Sequence, residues 1–352
     1  MSEEEKHRRS KKWRLILTWF TLGALVLLIV LLRGQIEETF RNLKQVHLWV
    51  LSFVVIWQVV NYHAYTALYR GLFDILGTKI KYSSLYKLML ELNFVNHVFP
   101  SAGVSGFSYV GLRMKSMGVS TGKSTLVQMM RFVTAFLSFQ ALLLFGLLAL
   151  SVSGKANNLT ILTASSIVTL TIVATLLVAY IVGSESRIDS FFTQITQFLN
   201  RVIKVVCPKH PEVIKVDSAR ELFLELHENY IVLTKDLKKL KAPLFWAFVA
   251  NFSEVATLYA VYLAFGSPVN VGAVILGFAV ANFAGLISVL PGGIGVYEAL
   301  MTGVLVASGV PAALSIPVTI MYRVLTLVIQ LPPGYYYYHK AINGVDKTKW
   351  PT

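Results

Sequence analysis

Leu290-Pro291-Gly292-Gly293-Ile294-Gly295-Val296-Tyr297-Glu298 interrupts an otherwise apolar tract. Neither Ala279–Leu290 before it nor Ala299–Val310 after it contains Lys, Arg or Asp. Proline lacks the amide hydrogen that a helix needs, and glycine loses the most backbone freedom on folding, so this run cannot continue a helix cheaply. In hydrocarbon, broken backbone persists only where protein buries it or where it lines a wet cavity. The stretch is therefore either a re-entrant tip or the kink between two half-helices, with the carboxylate of Glu298 just beyond it.

The surroundings place this break in a membrane. Of the 352 residues, 55% are hydrophobic and 14% charged, and the mean hydropathy is +0.62. Soluble domains carry about 25% charged residues. No cleavable signal is expected, because Leu15–Leu32 is long enough to span and no small-residue cleavage pattern follows it. Cys207 is the single cysteine, which excludes an intramolecular disulfide and a cysteine-rich metal site. A net charge of +14 would point to nucleic acid in a soluble chain. Here it reads as the excess of basic residues that membrane proteins keep in the cytoplasm, and no nucleic-acid partner is expected.

The map that follows is an all-α polytopic membrane protein with about six full spans and two re-entrant or broken-helix hairpins arranged as an inverted repeat. Residues 1–14 form a basic cytoplasmic tail, and 15–182 form the first membrane half. Arg33–Val46 reads as an outer loop, and residues 84–112 read as a re-entrant element that turns at Pro100–Gly106. From Pro100 only about a dozen residues remain before Arg113, too few to cross a core of ~30 Å at ~1.5 Å per residue. Residues 183–241 read as cytoplasmic amphipathic helices, residues 242–338 as the second membrane half with its re-entrant element at 271–310, and 339–352 as a cytoplasmic tail. The last span is expected to end around Pro332-Pro333-Gly334 and the four tyrosines after it. Most of the 32 basic residues then lie on the cytoplasmic side. Arg33, Arg41, Lys44 and Lys155 fall outside, and Arg131 and Arg323 fall within spans.

The two breaks resemble each other. Pro100 and Pro291 are each followed at the same distance by Gly-Val (Gly118-Val119, Gly309-Val310), then by Arg131 and Arg323. Each arginine carries Thr at i+3 (Thr134, Thr326) and a polar residue at i+7 (Ser138, Gln330), so each sits on a polar helix face. An odd number of spans separates the copies, so the second is expected upside down relative to the first. Inverted repeats whose broken helices meet near the midplane are a recurrent transporter architecture, with the substrate at the breaks. Gln58 and Glu254 align less closely.

Charge inside a membrane is costly, about 2.5–3.5 kcal/mol per residue on insertion scales, so Glu91, Arg131, Glu254, Glu298 and Arg323 need a reason to be there. One reading is internal pairing, Glu298 with Arg323 or Glu91 with Arg131. The other is that Arg131 and Arg323 grip a lipid phosphate, helped by half-helix N-termini. His97 and Asn93 share a face suited to a headgroup, and Glu254, Glu298 and Glu91 suit proton coupling or charge pairing. The helix-break residues are Pro100, Gly103, Pro291, Gly292, Gly293 and Gly295. No zinc motif or nucleophile elbow is present. Gly122-Lys123-Ser124 lacks the earlier glycine and the preceding strand of a phosphate-binding loop. No metal, cofactor or catalytic residue is expected.

These motifs, with Asn93, Pro100-Ser101-Ala102-Gly103 and Arg131, resemble the flippase-like membrane family typified by the transmembrane half of bacterial lysylphosphatidylglycerol synthase. The resemblance runs from the second span to the last. It implies a lipid-translocating fold with a site for an anionic or aminoacylated phospholipid, or a polyprenyl-phosphate lipid, in the cytoplasmic membrane. Larger members append a soluble aminoacyl-transfer domain, which this chain is expected to lack, so lysyl transfer is not its expected chemistry. The alternative is a non-transporting partner of a lipid-modifying or glycosyl-transferring enzyme, docked through residues 183–241.

Overall fold

The computed structural model describes residues 3–99, 104–184, four positions between 186 and 194, residue 225, and residues 227–232, 235–287 and 293–344. Pro100, Gly103, Pro291, Gly292 and most of the amphipathic segment 183–241 lie outside the described residues. Ten helices are described: α1 (Glu3–Asn42), α2 (Leu48–Ile75), α3 (Tyr82–Val98), α4 (Val104–Ser116), α5 (Thr121–Val152), α6 (Asn158–Val182), α7 (Lys241–Ala264), α8 (Val271–Ile287), α9 (Val296–Ala307) and α10 (Ala312–Gly344). Six of them, α1, α2, α5, α6, α7 and α10, are long and apolar enough to cross a membrane. The outward faces of α1 and α6 carry large apolar side chains such as Trp19, Val30, Leu162 and Leu176. An aqueous surface would not tolerate such stripes, but lipid does.

The helices fall into two runs of five with matching order. α3, α4 and α5 are 17, 13 and 32 residues long, and α8, α9 and α10 are 17, 12 and 33. Helix ends match too. α2, α4, α7 and α9 each stop at a left-handed glycine, Gly77, Gly118, Gly266 and Gly309 respectively. The residue after each glycine donates its N–H to the carbonyl five residues back, which satisfies one of the orphan acceptors of the last turn.

At the centre, α2 lies along α7. His47 N–H donates to the Ala264 carbonyl at one end of the pair. Asn61 Nδ2 donates to the Ala250 carbonyl and to Ser253 Oγ, both at 3.0 Å. Low numbers on α2 meet high numbers on α7, so these equivalent helices run antiparallel. Each short helix then packs on the long helix of the opposite run, α3 on α10 and α8 on α5. α1 covers α10 as α6 covers α5. Both exchanged contacts depend on glycine. A Cβ on Gly272 would run into the Gly146 carbonyl, and one on Gly334 would come within 2.8 Å of the Leu90 carbonyl. Small residues let helix backbones approach where no hydrophobic effect drives them together.

Two expectations are corrected. Arg33–Val46 is not an outer loop. α1 continues to Asn42 and a 3₁₀ turn covers Leu43–Gln45, because Arg33 and Glu37 stand one turn apart and pair at 2.9 Å, which suits a helix leaving the membrane. The last span does not stop at Pro332-Pro333-Gly334 or Tyr338 but runs to Gly344. Just beyond the two prolines, Gly334 packs closely against Leu90 and Phe94 of α3.

Candidate functional site

A cavity of about 370 Å³ opens where the two runs meet, lined from eight of the ten helices, α1 and α6 excepted. It gathers five of the residues expected to act together: Arg131, Arg323, His97, Asn93 and Glu254. Its walls are largely aromatic, including Tyr65, Phe107, Phe132, Phe136 and Phe283, and Asn96, Asn251 and Asn282 add amides. Glu298 and Glu91 do not line it; each is engaged with an arginine behind the wall.

The two arginines are in different electrostatic states. Arg323, 6% exposed, donates from Nε to Glu298 Oε1 at 3.1 Å, and its guanidinium lies over the Tyr297 ring, 4.4 Å from the centroid. Glu298 Oε2 accepts the Gly295 N–H at 2.6 Å. One carboxylate thus closes the first turn of α9, whose preceding Gly295 has φ +84°, and neutralises Arg323 on α10. Arg131 lies over Phe132 at 4.2 Å and near Tyr65 at 5.9 Å. Its Nε is buried with no hydrogen-bond partner, and no carboxylate among the described residues lies within ion-pair distance of it. The expected pairing of Glu91 with Arg131 does not form. Glu91, 2% exposed, is taken instead by Arg113, Nε to Oε2 at 2.7 Å and Nη2 to Oε1 at 3.1 Å, and Tyr109 donates to Oε2 at 2.7 Å. The reason is proximity: Arg113 is on α4, which folds straight back along α3.

Glu254 is held differently. Tyr322 donates its hydroxyl to Oε2 at 2.9 Å. Along the same face of α7, Asn251 donates to Ser138 Oγ at 2.6 Å and to the Ala135 carbonyl at 2.9 Å. Thr257 accepts from Gln58 at 3.2 Å, and Gln58 Oε1 in turn accepts from Gln330 at 2.7 Å. One face of α7 is thus polar, and α2, α5 and α10 bond to it. His97 Nδ1 lies 2.8 Å from the Asn93 carbonyl. A carbonyl only accepts, so Nδ1 carries a proton and Nε2 is left for another partner. Asn93 Nδ2 donates to the Tyr62 hydroxyl at 3.0 Å.

Sequence reasoning missed Tyr322, Tyr297, Gln128, Phe107 and Arg113. Tyr322 precedes Arg323 directly, and Gln128 is one turn before Arg131, so helical spacing around the arginines is the signal that finds both. Arg113 reads as one more charge on the cytoplasmic side until α4 is seen to fold against α3. No group of three or more His, Cys, Asp or Glu among the described residues could hold a metal ion. The arrangement suits recognition of an oxyanion: a guanidinium in a low-dielectric, aromatic-walled chamber, ringed by amide donors.

Comparison with known proteins agrees with the architecture. The model of the lysylphosphatidylglycerol synthase TM region matches residues 14–334. A UPF0104 membrane protein of Pyrococcus horikoshii is 20% identical over 325 residues, 91% of this chain and 94% of its own length. A UPF0104 membrane protein of Methanothermobacter thermautotrophicus is 40% identical over 73 residues, 21% of this chain and 22% of its own. With six helices long and apolar enough to cross a membrane and a family model that covers nearly all of its length, this multi-pass chain belongs to the lysylphosphatidylglycerol synthase TM region family.

Proposed function

We propose that this chain binds the phosphate-bearing headgroup of an anionic or aminoacylated phospholipid, or of a polyprenyl-phosphate lipid, in the central cavity and moves it between leaflets of the cytoplasmic membrane. The observation that carries this reading is Arg131. It is a guanidinium in the membrane whose buried Nε has no partner, in a cavity that also exposes Arg323, His97 and Asn93. Burying an uncompensated charge there costs several kcal/mol, a cost that a lipid phosphate offsets each time it binds. The antiparallel α2–α7 pair and the exchanged packing of α3 and α8 support an inverted repeat, with both termini cytoplasmic and alternating exposure of the cavity as the transport route.

The test is translocation of fluorescent phosphatidylglycerol in proteoliposomes, read by dithionite quenching of the outer leaflet. Arg131→Ala is expected to lower the protein-dependent rate at least about tenfold, with Arg131→Lys intermediate because an ammonium binds phosphate as a point charge. Arg131→Ala at the wild-type rate rejects the reading.

A further inference from the structure

Resting on that reading, we infer that the bound headgroup takes against Arg131 the place that the Glu298 carboxylate takes against Arg323, and that Phe107 is the residue that reserves this place for a ligand. The two runs supply the comparison. Glu298 stands as far beyond Pro291, and as far before Gly309, as Phe107 stands beyond Pro100 and before Gly118. Both residues lie in the first turn of the helix that follows a break, α9 and α4.

The arginines correspond in the same way, one residue out of register. Thr326 Oγ1 donates to the Tyr322 and Arg323 carbonyls at 2.8 and 3.0 Å, and Thr134 Oγ1 donates to those of Met130 and Arg131 at 2.8 and 3.1 Å. Each guanidinium lies over an aromatic ring, Tyr297 or Phe132. The environments thus match in helix position and backbone, while the ring comes from α9 in the second run and from α5 itself in the first.

They differ at the anion. In the second run Glu298 joins the start of α9 to α10 through Gly295 N–H and Arg323. In the first run the equivalent position is Phe107, which is 36% exposed and lines the cavity with Arg131. A phosphate oxygen there meets what the Glu298 carboxylate meets: an arginine on a long helix and the electropositive start of a short one. The second-run arrangement is thus an internal copy of the liganded first run. Binding adds a tie between α4 and α5 like the one Glu298 makes between α9 and α10.

The experiment places a carboxylate where the ligand's charge belongs. The full chain in detergent is titrated calorimetrically with dioctanoyl phosphatidylglycerol. Phe107→Glu is expected to bind at least about tenfold more weakly than Phe107→Gln, its neutral isostere, because the introduced carboxylate pairs with Arg131 internally. Equal binding by the two variants overturns the inference while leaving the Arg131 transport test untouched. Glycerol phosphate and dioctanoylglycerol are titrated alongside. Preference for the phospholipid over both supports a lipid phosphate; glycerol phosphate binding as tightly keeps the oxyanion at Arg131 but overturns the lipid source.

Should Phe107→Glu not fold, the charge is added after folding. Phe107→Cys in a Cys207→Ser background carries one thiol. Its sulfonatoethyl adduct is expected to bind at least about tenfold more weakly than its neutral methyl disulfide. Matching affinities of the two adducts overturn the inference.

Discussion

Arg113 and Glu91 form a two-pronged ion pair at 2.7 and 3.1 Å, twenty-two positions apart in sequence, with Glu91 almost wholly buried. Tyr109 completes the carboxylate's shell at 2.7 Å. All three lie on α3 and α4, so the pair staples the first hairpin to itself and makes no polar tie to α5. Removing one partner leaves a buried charge alone, which costs about 3–5 kcal/mol, whereas replacing both with apolar residues of similar volume is often neutral. Glu91→Ala is therefore expected to lower the unfolding midpoint in detergent by several degrees, and Glu91→Leu with Arg113→Leu to recover most of it. If the double variant is as unstable as the single one, the pair serves something other than charge compensation.

The exchanged helix contacts give a second prediction. Alanine at Gly272 places a methyl group on the Gly146 carbonyl, and alanine at Gly334 places one between the Leu90 carbonyl and Phe94. Backbone cannot move aside as a side-chain tip can, so each substitution is expected to destabilise by about 1–3 kcal/mol. Gly303, whose Cβ would meet nothing within 4 Å, supplies the control: Gly303→Ala is expected to unfold at or above the wild-type temperature. Equal midpoints for Gly272→Ala and Gly303→Ala would show that α8 does not cross α5 this closely.

The sequence made the spans and breaks legible for a physical reason. Hydrocarbon demands long apolar helices and punishes unsatisfied backbone, so hydropathy and Pro-Gly runs carry much of the architecture. It also flagged Arg131, Arg323, His97, Asn93 and Glu254 individually, since polar groups in such tracts are rare. It did not reveal which charges meet. On paper Glu91 is matched with Arg131, and the way α4 folds back on α3 gives it Arg113 instead. Nor did it show that α1 continues past Arg33 or α10 past Pro333. Helix propensity, i,i+4 pairing and neighbouring backbone decide those ends, and hydropathy is blind to all three.

Glu225 links the segment between α6 and α7 to the membrane helices. Its Oε2 accepts the Gly122 N–H at 2.9 Å, at the first turn of α5, where a carboxylate complements the helix dipole for about 0.3–1 kcal/mol. A Cβ on residue 122 would overlap the Glu225 carboxylate, so the contact depends on glycine. Gly122→Ala and Glu225→Gln are each expected to raise amide hydrogen exchange in residues 227–232 about threefold, with global stability nearly unchanged. Unaltered exchange in both variants would mean that this segment is held by other contacts.

Glu254 is the carboxylate that the cavity does not neutralise with an arginine, for its named partner is the Tyr322 hydroxyl. It and Arg131 line the same chamber. On the proposed reading, the Glu254 carboxylate repels an anionic headgroup that Arg131 attracts, and so weakens the hold on it. Coulomb attraction in a partly desolvated site is strong enough to change affinity by about threefold to tenfold when one charge is removed. Glu254→Gln keeps a hydrogen-bond acceptor for Tyr322 and removes the charge. It is expected to bind dioctanoyl phosphatidylglycerol more tightly than wild type and to transport it more slowly, because release then becomes the slow step. Weaker binding by Glu254→Gln would reverse the assignment, placing a positive part of the headgroup against Glu254 and the phosphate against Arg131.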